Sequence, residues 1–215
     1  MAKNFPLNDA RDLPLWRRPI SLLFLMALAM PIAFNVWAAL LNNFVIEVGG
    51  FDGSDNGWLH TVREIPGFLA VGVIAIIIFV REQVLGLVSL ILLGVATMIT
   101  AKFPSMGGIL TVTMLSSIGF HYYETVNQSL QLQWLPKDRA PQILGWLMAA
   151  GSVTTLIAYL FIVLLWEPLG LSYNIVYMTG GGITAVIAVF CLFAYPNFES
   201  PTPQIKKMIL RKRYW

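Results

Sequence analysis

Apolar residues fall into six stretches along the chain, separated by short polar or turn-forming segments. The stretches cover residues 20–46, 58–80, 84–101, 106–135, 142–166 and 173–195. Each is close to or above the ~20 residues a helix needs to cross a bilayer. The pattern predicts six transmembrane helices. Short connections between consecutive helices predict one compact antiparallel bundle with no second domain. The connections are a turn-rich segment at 48–57 with two aspartates, the turns 81–83 and 102–105, a Pro-bounded loop at 136–141, and the loop 167–172. Pro31, Asn35, Asn42 and Asn43 mark the first helix as more than a plain anchor, and Gly180, Gly181 and Gly182 interrupt the apolar run of the sixth as a mark of tight packing or a flexible point, with no chemistry assigned.

The fourth stretch departs most from this pattern. At ~100° per residue, Thr113, Ser117, His121, Glu124, Gln128 and Gln131 fall within an arc of roughly 80°, a polar stripe on an apolar rod. An ionisable group at the centre of a membrane helix costs about 2.5 kcal/mol or more on insertion scales. Such groups persist by facing a bundle interior or a watery cavity. His121 and Glu124 are three residues apart, within reach of each other on a helix, and both titrate where their surroundings shift them. A proton- or solute-binding role therefore stands beside a structural hydrogen-bond network.

Two further groups are weaker candidates. His60, Arg63, Glu64 and Gly67 share a face of the second helix. Arg63 lies only ~8 Å below Trp58 at 1.5 Å rise per residue, so it can snorkel to headgroups or meet an anionic substrate or an acidic side chain. Asn35 and Asn42 share a face with Pro31, Ala38 and Ala39. That face suits either close helix packing with asparagine bonding a neighbour or a cavity wall beside a bend at Pro31. Gly145, Met148, Ser152, Thr155 and Tyr159 form a milder stripe on the fifth helix, with no chemistry assigned.

Composition narrows the class. The 215 residues are 57% apolar and 12% charged, about half the charge of a soluble domain, with a mean hydropathy of +0.71. This is the composition of an integral membrane protein. Twelve of the fourteen lysines and arginines lie in segments 1–19, 81–83, 136–141 and 196–215, which alternate to one side of a six-span topology. That bias predicts cytoplasmic termini in a plasma or bacterial inner membrane. Residues 1–19 form a polar N-terminal tail, residues 20–195 the bundle. Residues 196–215, with Lys206, Lys207, Arg211, Lys212 and Arg213, form a basic tail or linker. One cysteine and two histidines leave no basis for multi-cysteine or multi-histidine metal sites. Neither a Gly-x-Ser-x-Gly elbow nor a phosphate-binding loop occurs. No enzyme, cofactor or nucleic-acid partner is expected.

The six spans closed by a basic tail, the stretch 135–152 (LPKDRAPQILGWLMAAGS) and the 49–57 loop into the second helix together resemble the N-terminal six-helix half of a major facilitator superfamily transporter. The turn between helices two and three reads FVREQVLG at 79–86. It keeps a basic residue and a glycine of that family's G-x-x-x-D-[RK]-x-G-R-R signature. The resemblance implies that the first and fourth helices line a central cavity, so that Asn35 and Asn42 face His121, Glu124, Gln128 and Gln131. It implies alternating access between two six-helix halves, the second half being a continuation of the chain or a partner chain. The function expected is a permease for a small polar solute, coupled to protons through Glu124, with Arg63, His60 and Glu64 as further gating candidates. The alternative is a non-transporting membrane scaffold on the same bundle.

Overall fold

The computed structural model describes residues 4–199. The basic residues of the C-terminal tail named above, and Lys3, lie outside the described residues. The main helices are α1 (Pro19–Glu47), α2 (Gly53–Phe68), the short α3 (Val73–Ile76), α4 (Glu82–Ile99), α5 (Met106–Trp134), α6 (Ala140–Leu165) and α7 (Tyr173–Ala194). Five segments are long and apolar enough to cross a membrane: α1, the 53–76 segment, α4 with the turn after it, α6 and α7. The helix outside this set is α5. Its 29 residues are ample in length, but the polar stripe dilutes its hydropathy.

Helix ends follow local capping chemistry. Asp52 accepts a bond from the Asp55 backbone N–H at 2.9 Å, and the Asp55 carboxylate takes the Asp52 N–H at 3.2 Å. This reciprocal capping box starts α2 within the segment expected to be loop. Ser105 and Ser172 cap α5 and α7 by a single bond each, their hydroxyl oxygens accepting the Gly108 and Ile175 N–H at 3.3 and 3.4 Å. Gly50, with φ of 69°, makes the left-handed turn between α1 and α2, a conformation that costs glycine little.

The second span is not one helix. After Phe68 it tightens into a 3-10 turn, Leu69–Gly72, before α3. Pro66 lies in the last turn of α2 and removes a backbone donor there. Helix α7 is continuous through its three glycines. Those glycines permit close approach, the tight packing expected of them. A Cβ on Gly94 of α4 would lie 2.7 Å from the Gly181 carbonyl of α7, and one on Gly180 would lie 2.9 Å from Val36 of α1. Small residues let helix backbones meet where lipid offers no hydrophobic drive.

Packing repeats itself. Helix α4 packs on α5 and α7, α7 packs on α1, α1 on α6, and α5 on α2. Exchanging α1, α2 and α4 for α5, α6 and α7 leaves this set of main contacts unchanged. The same sequence offset separates Pro19 from Met106, Gly53 from Ala140, and Gly94 from Gly181. Helix α4 is the most buried, with 56% of its apolar stretch covered, and α6 the least, at 11%. Outward faces carry Phe68, Phe79, Leu132 and Phe193, all at least 80% exposed. A surface this apolar suits lipid or a partner rather than water.

The N-terminal segment is folded rather than a plain tail. Strand β1 (Asn4–Pro6) pairs in parallel with β2 (Asn197–Glu199), Phe5 opposite Phe198. Two 3-10 turns then lead to α1, and the Arg18 guanidinium holds them by donating to the Leu13 and Arg11 carbonyls at 3.0 and 2.8 Å. The buried Gln83, second residue of α4, fixes β2 from both directions. Its Nε2 donates to the Pro196 carbonyl and its Oε1 accepts the Phe198 N–H, each at 2.9 Å. Tyr195 donates to the Trp16 carbonyl and meets the Trp16 ring edge-on. Strands β1 and β2 thus lie together over the same end of α4.

Candidate functional site

The polar stripe of α5 divides into three parts. Thr113 and Ser117 are buried in packing, and the Ser117 hydroxyl donates to the Arg63 carbonyl, stitching α5 to α2. His121 is half-buried. Its ring lies against Gly67, where a Cβ would come within 3.1 Å of it, and meets Phe120 edge-on. Glu124, also half-buried, has the Gln128 side chain rather than His121 as its hydrogen-bonding neighbour. Among the described residues no ion pair joins His121 to Glu124.

A cavity of about 160 Å³ opens between α1, α2 and α5. Phe34 and Trp37 line it from α1, Arg63 and Glu64 from α2, and Ser116, Ser117, Phe120 and His121 from α5. Phe34 stacks on Phe120 with ring centroids 4.4 Å apart, so one wall is a joined aromatic surface. Also lining it, Arg63 and Glu64 bond side by side, Nη2 to Oε1 at 2.7 Å and Nε to the same oxygen at 2.9 Å. The structure thus joins Arg63 and Glu64 to the Ser117–His121 end of the stripe, a grouping the sequence left in two separate helices. His60 is half-buried on α2 and does not line this cavity.

The far end of the stripe lines a second, larger cavity of about 520 Å³. Gln128 and Gln131 face Lys137, Ala140, Pro141 and Leu144 across it. Glu124 stands on α5 between the two cavities.

The asparagines do not face the stripe. Asn35 donates from Nδ2 to the Thr155 hydroxyl of α6 at 3.0 Å and to the Pro31 carbonyl at 2.9 Å, and its Oδ1 accepts from the Tyr159 hydroxyl at 3.1 Å. It ties α1 to α6, which is the close-packing alternative. Asn42 is exposed near the end of α1. The milder stripe of α6 supplies the partners, Thr155 and Tyr159.

Several residues of the site carried no mark in the sequence. Phe34, Trp37 and Phe120 are apolar residues in apolar helices. Glu82, at the start of α4, accepts from the Ser129 hydroxyl at 3.2 Å and from Gln133 Nε2, which also donates to Ser129 at 3.0 Å. Ser129 and Gln133 are four apart, on a side of α5 away from the stripe, and that spacing was the available signal. Among the described residues no group of three or more His, Cys, Asp or Glu could hold a metal. Neither a protein-family model nor a curated protein matches the sequence.

Proposed function

We propose that the chain is one six-helix half of a transporter of the major facilitator type, moving a small polar solute by alternating access. In this reading α5 also crosses the membrane despite its polarity, as the fourth of six spans, both termini are cytoplasmic, and a second six-helix unit supplies the opposite wall of the path. One observation carries it. The stripe of α5 begins at one cavity, passes Glu124 and ends at another. A polar track of this kind through an apolar helix suits the passage of a polar solute, and its cost in lipid gives a static scaffold no reason to keep it.

Two features support the reading. The repeated contact pattern is what a three-helix unit and its inverted copy produce, the internal symmetry common to such transporters. The polar Asn35–Thr155–Tyr159 cluster supplies a second patch beside α1. Glu124 is the coupling group, releasing and taking up a proton as the path opens to either side. Glu124→Gln in the full-length protein, reconstituted with its second half, is expected to lower solute uptake at least tenfold and flatten its dependence on pH. Uptake and pH dependence both equal to the parent would remove Glu124 from coupling.

A further inference from the structure

The cavity between α1, α2 and α5 has a charge layout more specific than polarity alone. Arg63 and Glu64 stand next to each other on its wall and together are neutral. Both donors in use on Arg63, Nε and Nη2, go to a single oxygen of Glu64. A guanidinium has five N–H donors, so Arg63 keeps donors for a second carboxylate, and the Glu64 carboxylate keeps its other oxygen. Phe34, Trp37 and Phe120 line the same cavity, with Phe34 and Phe120 stacked on each other, and supply an apolar surface that accepts a short aliphatic group.

A ligand with one charge would pair with only one member of the couple and leave the other without its partner. A ligand carrying both charges would not. Its carboxylate takes the free donors of Arg63 while its ammonium takes Glu64. Size agrees with this. A dry cavity of about 150 Å³ takes up benzene, so about 160 Å³ fits a solute of roughly six to eight non-hydrogen atoms.

We propose that this cavity is a subsite for a small zwitterion of the amino-acid class, held by Arg63 and Glu64 against the aromatic wall. It rests on the transporter reading for the solute's route, while the binding itself can be measured without transport.

The test is equilibrium dialysis of the full-length protein in lipid nanodiscs against three radiolabelled probes. These are L-alanine, propionate, which lacks the ammonium, and ethylamine, which lacks the carboxylate. The parent is expected to bind L-alanine at least tenfold more tightly than either single-charge probe. Arg63→Gln leaves Glu64 alone and is expected to exchange L-alanine preference for ethylamine. Glu64→Gln leaves Arg63 alone and is expected to shift preference to propionate. A gain of affinity for a new probe cannot come from misfolding, so the exchange is diagnostic even where a variant is less stable. Equal binding of propionate and L-alanine by the parent, no binding of any probe, or loss of L-alanine without the exchange would each overturn the proposal. Selective L-alanine binding without uptake would keep the subsite and remove the transporter reading. Uptake of a solute that is not a zwitterion, with no L-alanine binding, would do the reverse.

Discussion

The Thr184 hydroxyl of α7 stands between two backbone groups of α1 that would ordinarily bond each other. It accepts the Ala33 N–H at 3.1 Å and donates to the Ala29 carbonyl at 2.7 Å, one turn of helix bridged by a side chain from elsewhere. Pro31 lies between them, and a side chain inserted into the ladder beside a proline is a recognised cause of helix bending. Thr184→Val keeps the shape and removes the bridge. The two backbone groups then stay unpaired or pull α1 straighter. The expected loss is about 1–2 kcal/mol, read as a lower Tm in a thermal melt of the detergent-solubilised protein, and an unchanged Tm would show that the bridge contributes nothing. Residues of this kind were silent in the sequence, because one threonine in an apolar helix carries no pattern. The polar stripe was legible for the opposite reason, as six polar groups at helical spacing on one face of an otherwise apolar helix form a pattern that the sequence itself displays. Asn35 lay between these cases. Its polarity was visible, but its partners Thr155 and Tyr159 lie on a helix far along the chain, and periodicity within α1 cannot choose between two neighbours.

Among the elements, the least expected is the parallel pair β1–β2 and its attachment to α4. Segments 1–19 and 196–215 have the charge of solvated tails, and nothing local in them demands a strand. What orders β2 is Gln83, which satisfies one carbonyl and one N–H of an extended backbone from a buried position, while Trp134 packs edge-on against Phe198. Gln83→Leu removes both bonds and leaves those backbone groups unpaired, at about 1–3 kcal/mol each way. Hydrogen exchange of residues 4–6 and 197–199 is expected to quicken roughly tenfold or more, with α4 and α7 unchanged. Equal exchange in parent and variant would mean that the sheet holds without Gln83. The helices themselves were readable to within a few residues, apart from the second span. There the apolar run hid the 3-10 turn at Leu69–Gly72, because hydropathy records burial and not hydrogen-bond geometry.

For the whole molecule, the open question of mechanism turns on α5, the helix too polar to qualify by hydropathy yet central to the proposed path. Lys102 and Lys137 flank it and are exposed, while the single cysteine, Cys191, is buried. Lys102→Cys and Lys137→Cys therefore report with little background. A membrane-impermeant maleimide on intact cells is expected to label Cys at 102 and to reach Cys at 137 only after permeabilisation. Labelling of both from one side would mean that α5 does not cross. By itself the sequence determined the helical class, the approximate extent of each apolar helix, the polar side of α5 and the asymmetry of positive charge. All of these are properties of spacing and solvation along one segment. Only the tertiary structure decided which helices touch, that α4 runs through the middle of a repeated arrangement, and that Asn35 belongs to α6 rather than to the stripe. It alone brought Arg63, Glu64 and three aromatic rings into one cavity with His121. Those outcomes depend on where glycines such as Gly94 and Gly181 let backbones meet, and close approach between distant segments leaves no period in the chain that makes them.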